Sequence, residues 1–309
     1  MKAFLKDKQG FAAGILAVLF WAVVPALRQL ISRDTAMFFS GGFISLSGGC
    51  VMLLMRLRAG GYRPLRSVSP RYWLLVALPY LGCSISGTLA LGLAKNEQAM
   101  LLASLLYSLW PLATILLAVP ILGLKTRRGF GASMVLGVLG IVLAAGIGDP
   151  ASLLQTLREN ALCLICGLLS PFCWGVASNF YCIFVHDVRS DFAALYNIAD
   201  GLVQLLFSVA FGEAVGRISA AAWGGLVFQM LFSTVLATIL WNMAMRSRYR
   251  LATVVFSNLI PVLSTVLSCL LLRAELTLSM AAGSALVVAA TLLADRCMEE
   301  QNEEEPANE

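Results

Sequence analysis

Two stretches of the chain place a proline inside an apolar run, with small polar residues on the same helical face. The first reads Tyr107-Ser108-Leu109-Trp110-Pro111-Leu112-Ala113-Thr114. Pro111 has no N–H to donate, and its ring crowds the carbonyl of Tyr107, at about 3 kcal/mol in a soluble helix. In a bilayer such a break persists only where protein or a wet cavity satisfies the freed carbonyl. Ser104, Tyr107, Ser108, Pro111 and Thr114 fall at helical spacing and share a face. The arrangement returns in the second half as Ser257-Asn258-Leu259-Ile260-Pro261-Val262-Leu263-Ser264. There Asn258, Pro261 and Ser264 take the places of Ser108, Pro111 and Thr114. The chemistry on offer is binding rather than bond-making. Freed carbonyls on Tyr107 and Ser257 can hold an ammonium group, and the Trp110 ring can hold an apolar side chain. Matched interrupted spans in two halves point to a transporter's solute site. The alternative is that both prolines are simple kinks, since proline is common in membrane helices.

Other chemistries find little support. His186 is the single histidine, which excludes metal sites of two or more histidines and His-based triads. No P-loop, H-E-x-x-H or G-x-S-x-G pattern is present. Cys163-x-x-Cys166 has redox or metal spacing, but it lacks a second pair, so it reads as two small buried hydrophobes. Neither a cofactor nor a metal is expected. Asp200 is the one carboxylate well inside an apolar run. A charged Asp at mid-bilayer costs about 2.5–3.5 kcal/mol on insertion scales, so it needs a partner, a cavity or a proton. Asn197, Asp200 and Gln204 share a helix face. The set reads either as a proton or cation site coupled to transport, or as a hydrogen-bonded packing group facing Ser45 and Ser47.

The elements that must position these residues are membrane helices. The 309 residues are 59% hydrophobic and 13% charged, with a mean hydropathy of +0.84. An ordinary soluble domain is about 45–50% apolar and about 25% charged. A membrane-length window gives about ten spans: 10–31, 36–55, 72–94, 98–122 and 130–147, then 161–185, 192–212, 222–245, 251–272 and 278–295. Five spans per half make the second half enter from the opposite side. The expected fold is therefore all-α and integral to the membrane, as two inverted five-helix repeats, 1–147 and 148–298. An acidic tail, 299–309, is expected to be disordered. Lys and Arg outnumber Asp and Glu, 22 to 17, and most of them fall on the N-terminal side of the membrane. Both termini are therefore expected in the cytoplasm. The partners implied are a small-molecule solute and the lipid bilayer, and no nucleic-acid motif appears. Rows of small residues (Gly41, Ser45, Gly49; Gly140, Ala144, Gly148; Ala281, Ala285, Ala289) suit close helix packing within the chain, with a homodimer face as the alternative.

Trp21, Tyr80, Trp110, Trp174, Tyr181 and Trp241 lie inside spans. With Ser84, Ser86, Thr88, Ser108, Thr238, Asn242 and Asn258 they would suit an amphipathic organic solute, through ring faces and a few fixed hydrogen bonds. Leu109-Trp110-Pro111, Trp241-Asn242, Pro261-Val262-Leu263-Ser264, Ile44-Ser45-Leu46-Ser47-Gly48 and Leu89-Ala90-Leu91-Gly92-Leu93 together resemble the drug/metabolite transporter superfamily of ten-span, EamA-type carriers. Within it they resemble the bacterial aromatic amino-acid exporter branch. The resemblance implies export of aromatic amino acids or related metabolites across a bacterial inner membrane, by alternating access through a central cavity. It carries over to Trp21, Trp110, Pro111, Trp174, Trp241, Asn242 and Pro261 as cavity residues. The branch tends to have an aromatic–acidic pair where this chain has Ile85-Ser86, and no acid where it has Asp200. A multidrug or other metabolite carrier on the same fold is the nearest alternative, and a membrane scaffold without transport is the more distant one.

Overall fold

The computed structural model describes residues 2–32, 34–63, 65, 68–144, 150–260, 263, 266–267 and 277–299. The chain runs through α1 (Lys2–Ala22), α2 (Val24–Ser32), α3 (Met37–Arg58), α4 (Pro70–Gly92), α5 (Glu97–Tyr107) and α6 (Trp110–Leu122). It continues through α7 (Phe130–Ala144), α8 (Pro150–Glu159), α9 (Ala161–Phe184), α10 (Ala193–Ala210), α11 (Ala220–Met245), α12 (Arg250–Phe256) and α13 (Leu278–Arg296). Six stretches are long and apolar enough to cross a membrane: Gln9–Arg28, Met37–Arg58, Pro70–Gly92, Ala161–Phe184, Ala193–Ala210 and Ala220–Met245. Shorter apolar helices cover Trp110–Leu122, Phe130–Gly140 and Leu278–Ala294. These match nine of the ten expected spans. Of the ninth, 251–272, residues 261–262, 264–265 and 268–272 lie outside the described residues, as does 300–309 of the tail. The chain is thus an all-helical, multi-pass membrane protein. Its outward side chains agree: Leu206, Val209, Leu162, Ile165 and Val135 are exposed along helix faces, as a bilayer-facing surface requires.

Two antiparallel helix pairs form the tightest seams. A Cβ on Gly201 of α10 would sit 2.3 Å from the Leu46 amide nitrogen of α3, and one on Gly42 would meet the Leu205 nitrogen at 2.9 Å. Between α7 and α13, a Cβ on Gly140 would lie 2.9 Å from the Gly283 carbonyl. Gly41, Gly49 and Gly140 of the small-residue rows thus pack within the chain, whereas Ala285 and Ala289 are exposed. Without hydrophobic drive between helices in lipid, such backbone approach is what lets dispersion hold a bundle together.

Polar contacts gather at the two ends of the bundle. At one end Arg63 pairs with Asp187, and the Arg63 amide donates to the Arg189 carbonyl at 3.1 Å. Slight desolvation acts against it, yet hydrogen bonds from Ser190 and the charge of Arg63 hold the Asp187 carboxyl below the usual carboxylate range. Tyr62 stacks on Phe192, and burial, with Asp191 adding, pushes its hydroxyl up to about 12. Phe11 and Tyr249 meet there too, with ring centroids 6.1 Å apart. A short antiparallel pairing joins β1 (Lys125–Thr126) to β2 (Met298–Glu299), so Glu299, the first residue of the expected tail, is ordered. At the opposite end Glu213 accepts from the Phe38 and Phe39 amides at 3.0 and 2.9 Å. It supplies an anion to the positive end of α3.

One expected continuous span is broken. The first apolar run stops at Ala22 and resumes at Val24, ahead of Pro25. Pro25 lacks the N–H that would reach the carbonyl of Trp21, four residues earlier, by the same physics that acts at Pro111.

Candidate functional site

Span four breaks where Pro111 predicts. Helix α5 ends at Tyr107, Ser108 and Leu109 form a turn, and α6 restarts with Pro111 in its first turn. That position tolerates proline because its N–H would be unsatisfied in any case. The Ala113 amide closes the first turn on Leu109 at 2.9 Å, and Thr114 Oγ1 donates to the Trp110 carbonyl at 2.7 Å.

Trp110 projects from this restart into a cluster of four indoles. Trp21, beside the break between α1 and α2, lies 5.8 Å from Trp110, 5.5 Å from Trp174 of α9 and 5.2 Å from Trp241 of α11. Trp110 meets Trp174 at 5.7 Å and Trp241 at 5.4 Å, both edge-on, and Trp174 meets Trp241 at 6.2 Å. Edge-to-face pairs of this kind add about 0.5–1.5 kcal/mol each beyond burial. Trp110 and Trp241 are buried, whereas Trp21 and Trp174 are half-buried.

The cluster is pinned by an irregular helix. Gln229–Leu236 of α11 is π-helical, as is Trp73–Ala77 of α4. Wider turns of this sort occur mostly at functional sites. Here the Trp21 indole N–H donates to the Ser233 carbonyl at 2.9 Å, and Ser233 Oγ donates back to the Phe20 carbonyl at 3.3 Å. The Trp174 indole nitrogen, by contrast, is buried and has no partner among the described residues. A buried donor left unmet costs on the order of 1–3 kcal/mol, which a hydrogen-bonding solute would relieve.

On one side of the indoles a narrow cleft is lined by Tyr80, Ser178, Tyr196 and Thr238. A charged network closes it. Asp191 accepts from Tyr181 Oη at 2.9 Å, from Arg246 Nη1 at 3.2 Å, and from Asn242 Nδ2 at 3.3 and 3.2 Å. The Arg246 and Asp191 side chains are only 16% and 11% exposed. Asp191 also accepts from the Ala193 amide at 3.1 Å, which fixes it to the start of α10. Asn242 thus both lines the cleft and takes part in its closure.

The remaining expected residues divide. Tyr107 lies one turn from Trp110 and is 37% exposed, and Ser108 is half-buried in the turn. Asn258 falls in the 3-10 turn Ser257–Leu259, and its side chain and Pro261 lie outside the described residues. Asp200 stands apart from the indoles, fully buried behind α4. Its Oδ2 accepts from Ser84 Oγ at 2.8 Å and Gln204 Nε2 at 2.9 Å, and Thr88 holds the Gln204 carbonyl oxygen at 3.0 Å. The hydroxyls thus come chiefly from span three. Ser47 turns back on the Phe43 carbonyl of its own helix instead, while Ser45 lies beside the carboxylate. Asp200 Oδ1 completes no hydrogen bond among the described residues. No cluster of three or more potential metal ligands occurs among the described residues.

Sequence reasoning missed Asp191 and Arg246, which sit in loops where a charge normally meets only water. Only their burial marks them. It also missed Ser233, because nothing in Gln229–Leu236 announces a π turn.

Three comparisons bear on this arrangement. Residues 161–294 match the EamA-like transporter family. The chain is 23% identical over 298 residues to the aromatic amino acid exporter YddG of Escherichia coli (strain K12), covering 91% of this chain and 94% of that protein. It is 25% identical over 290 residues to the aromatic amino acid exporter YddG of Salmonella typhimurium (strain 14028s / SGSC 2262), with the same coverage of 91% and 94%. A solved crystal structure superposes with a TM-score of 0.73 at 23% identity, over 92% of this chain and 97% of that one, and so shares its fold. Residues 161–294 thus match the EamA-like transporter family, and the chain is distantly similar to the two exporters over most of its length.

Proposed function

We propose that the protein is a secondary exporter of amphipathic aromatic solutes, aromatic amino acids foremost, working by alternating access in a bacterial inner membrane. The observation that carries this is the cluster of indoles from α1, α6, α9 and α11, placed beside two helix breaks and left with one unmet N–H at Trp174. Flat rings offer apolar contact to an aromatic side chain. A few fixed polar groups orient it, as in most small-molecule sites. The names of the relatives point to the same solute class. The charged network around Asp191 and Arg246 is the closed inner face on this reading, and both termini lie on that cytoplasmic side. Two inverted repeats of five spans supply the symmetry for rocking. Their supports are the proline stripe that recurs around Pro111 and Pro261 and the π-helical stretches in the third and eighth spans.

Asp200 is the candidate coupling residue. It is buried, with Ser45 beside it, and among the described residues its Oδ1 completes no hydrogen bond. Arg28, Tyr80 and Cys83 are the other charged or titratable groups whose fields reach it.

Flux assays in proteoliposomes of matched protein content test the solute class. Trp110→Ala is expected to weaken export of aromatic solutes roughly tenfold, about 1.4 kcal/mol, and to spare small aliphatic ones. Equal loss for both classes would reduce Trp110 to a packing residue and end the aromatic-site reading.

A further inference from the structure

Arg28 has entered so far only as the cation whose field reaches Asp200, which it does not touch as an ion pair. It lies on α2, two turns from Trp21, roughly 10 Å along a helix axis and on the side of the indoles away from the Asp191 network. An arginine four residues from a helix end usually snorkels to the membrane surface. Arg28 turns inward instead. Its guanidinium carbon stands 6.0 Å from the centre of the Tyr107 ring. That ring is itself set inside the bundle: a Cβ on Gly87 of α4 would lie 3.1 Å from Tyr107 Cε2 and 3.2 Å from Ser170 Oγ of α9. Tyr107 nevertheless keeps 37% of its surface open. No carboxylate among the described residues comes within ion-pair distance of Arg28. Arg28 ends the apolar stretch Gln9–Arg28 and is half-buried, and a guanidinium turned inward from that position calls for an anion or a wet cavity.

From these positions we propose that Arg28 is the anion-binding end of the solute site, taking the carboxylate of an aromatic carboxylic or amino acid whose ring rests on Trp21 and Trp110. The inference rests on the aromatic-solute reading above and adds the group that selects acids over amines. The planar guanidinium fork matches a carboxylate in two-point fashion, which a lysine ammonium does not. Tyr107 holds the fork from below through its ring face. The order outward is then indole floor, phenol and guanidinium, which parallels the ring-to-carboxylate order of the solute.

Proteoliposome flux of three radiolabelled probes decides the matter: phenylalanine, 3-phenylpropionate and phenethylamine, carried by the wild type, Arg28→Gln and Arg28→Lys. Arg28→Gln is expected to lower flux of the two acids tenfold or more through a raised KM, with phenethylamine flux unchanged. Arg28→Lys should recover part of the loss. Equal loss for all three probes would make Arg28 structural, and no loss would remove it from the site; either overturns the inference. Should the wild type ignore phenethylamine, the lysine variant decides: recovery supports the anchor, and a loss equal to that of glutamine rejects it. A wild type that carries none of the three rings refutes the aromatic-solute reading itself, a result separate from any effect of Arg28.

Discussion

Asp200 shows how one side chain divides two roles. Its Oδ2 is saturated by Ser84 and Gln204, while Oδ1 is left over. If it carries the coupling proton, Asp200→Asn flattens the pH dependence of transport while the protein still folds. An amide differs little in shape from a protonated acid, so an unaltered pH profile in that variant would favour transport down the solute's own gradient. Asn242 gives a second test. Its amide donates to Asp191, so Asn242→Asp would set a second carboxylate against a nearly buried one. Truncating or inverting one partner of such a group costs about 3–5 kcal/mol, and the variant is expected to lose thermal stability in detergent. Its recovery with Asp191→Asn in a double variant would identify the repulsion as the cause. The sequence made Asp200 visible because a lone acid in an apolar run is conspicuous. It placed Asn242 beside the indoles, where it lines the cleft, but gave no sign of the loop acid that its amide also meets. The partner, Asp191, is distant in sequence and gives no local sign.

At the scale of elements, breaks and seams do separate work. The break at Pro111 was legible because proline's missing N–H is a covalent fact. The break before Pro25 follows from the same fact, yet the apolar run around it is long enough to mask it in a window average. Pro111→Ala is expected to restore a continuous helix and slow turnover for every solute, with apparent affinity little changed, since hinge residues absorb the dihedral change of a moving span. Initial-rate measurements over a solute range separate the two parameters. The α3–α10 seam should be intolerant in a different way. A methyl at Gly201 meets the Leu46 backbone, which cannot step aside as a side chain could. Gly201→Ala is therefore expected to destabilise the fold by roughly 1–3 kcal/mol, read as a lowered Tm with solute selectivity retained. The small-residue rows signalled such a seam from spacing alone. They did not show which helix lay opposite, because that depends on tertiary pairing.

For the whole molecule, one end is tied shut by a nearly buried charged network. Contacts through Asp191, Arg246, Tyr181 and Asn242 bind α9, α10 and α11 together on the side where Arg63 meets Asp187. Arg246→Ala would leave the Asp191 carboxylate without its cation, and the end should open more often. A Ser178→Cys reporter in the cleft is then expected to react faster with an impermeant maleimide added from that side. An unchanged rate would mean that packing around Phe192 alone keeps the end closed. The same reagent fixes the side: Arg63→Cys should be protected from outside intact cells, and its labelling would invert the orientation drawn from Lys and Arg. Membrane class and the approximate spans were legible because hydropathy integrates over twenty residues. The closed end was not, because it is assembled from short loops whose composition is ordinary.

The tryptophan cluster also makes the protein its own optical probe. Four of its 6 tryptophans lie with ring centroids between 5.2 and 6.2 Å apart. At that spacing the transition dipoles of neighbouring indoles couple, and excitation migrates among them before it is emitted. The near-ultraviolet circular dichroism should carry a paired band of opposite signs, and emission should be strongly depolarised. A solute ring sliding between two indoles, or an α1 that swings with the transport cycle, would change both signals without any attached dye.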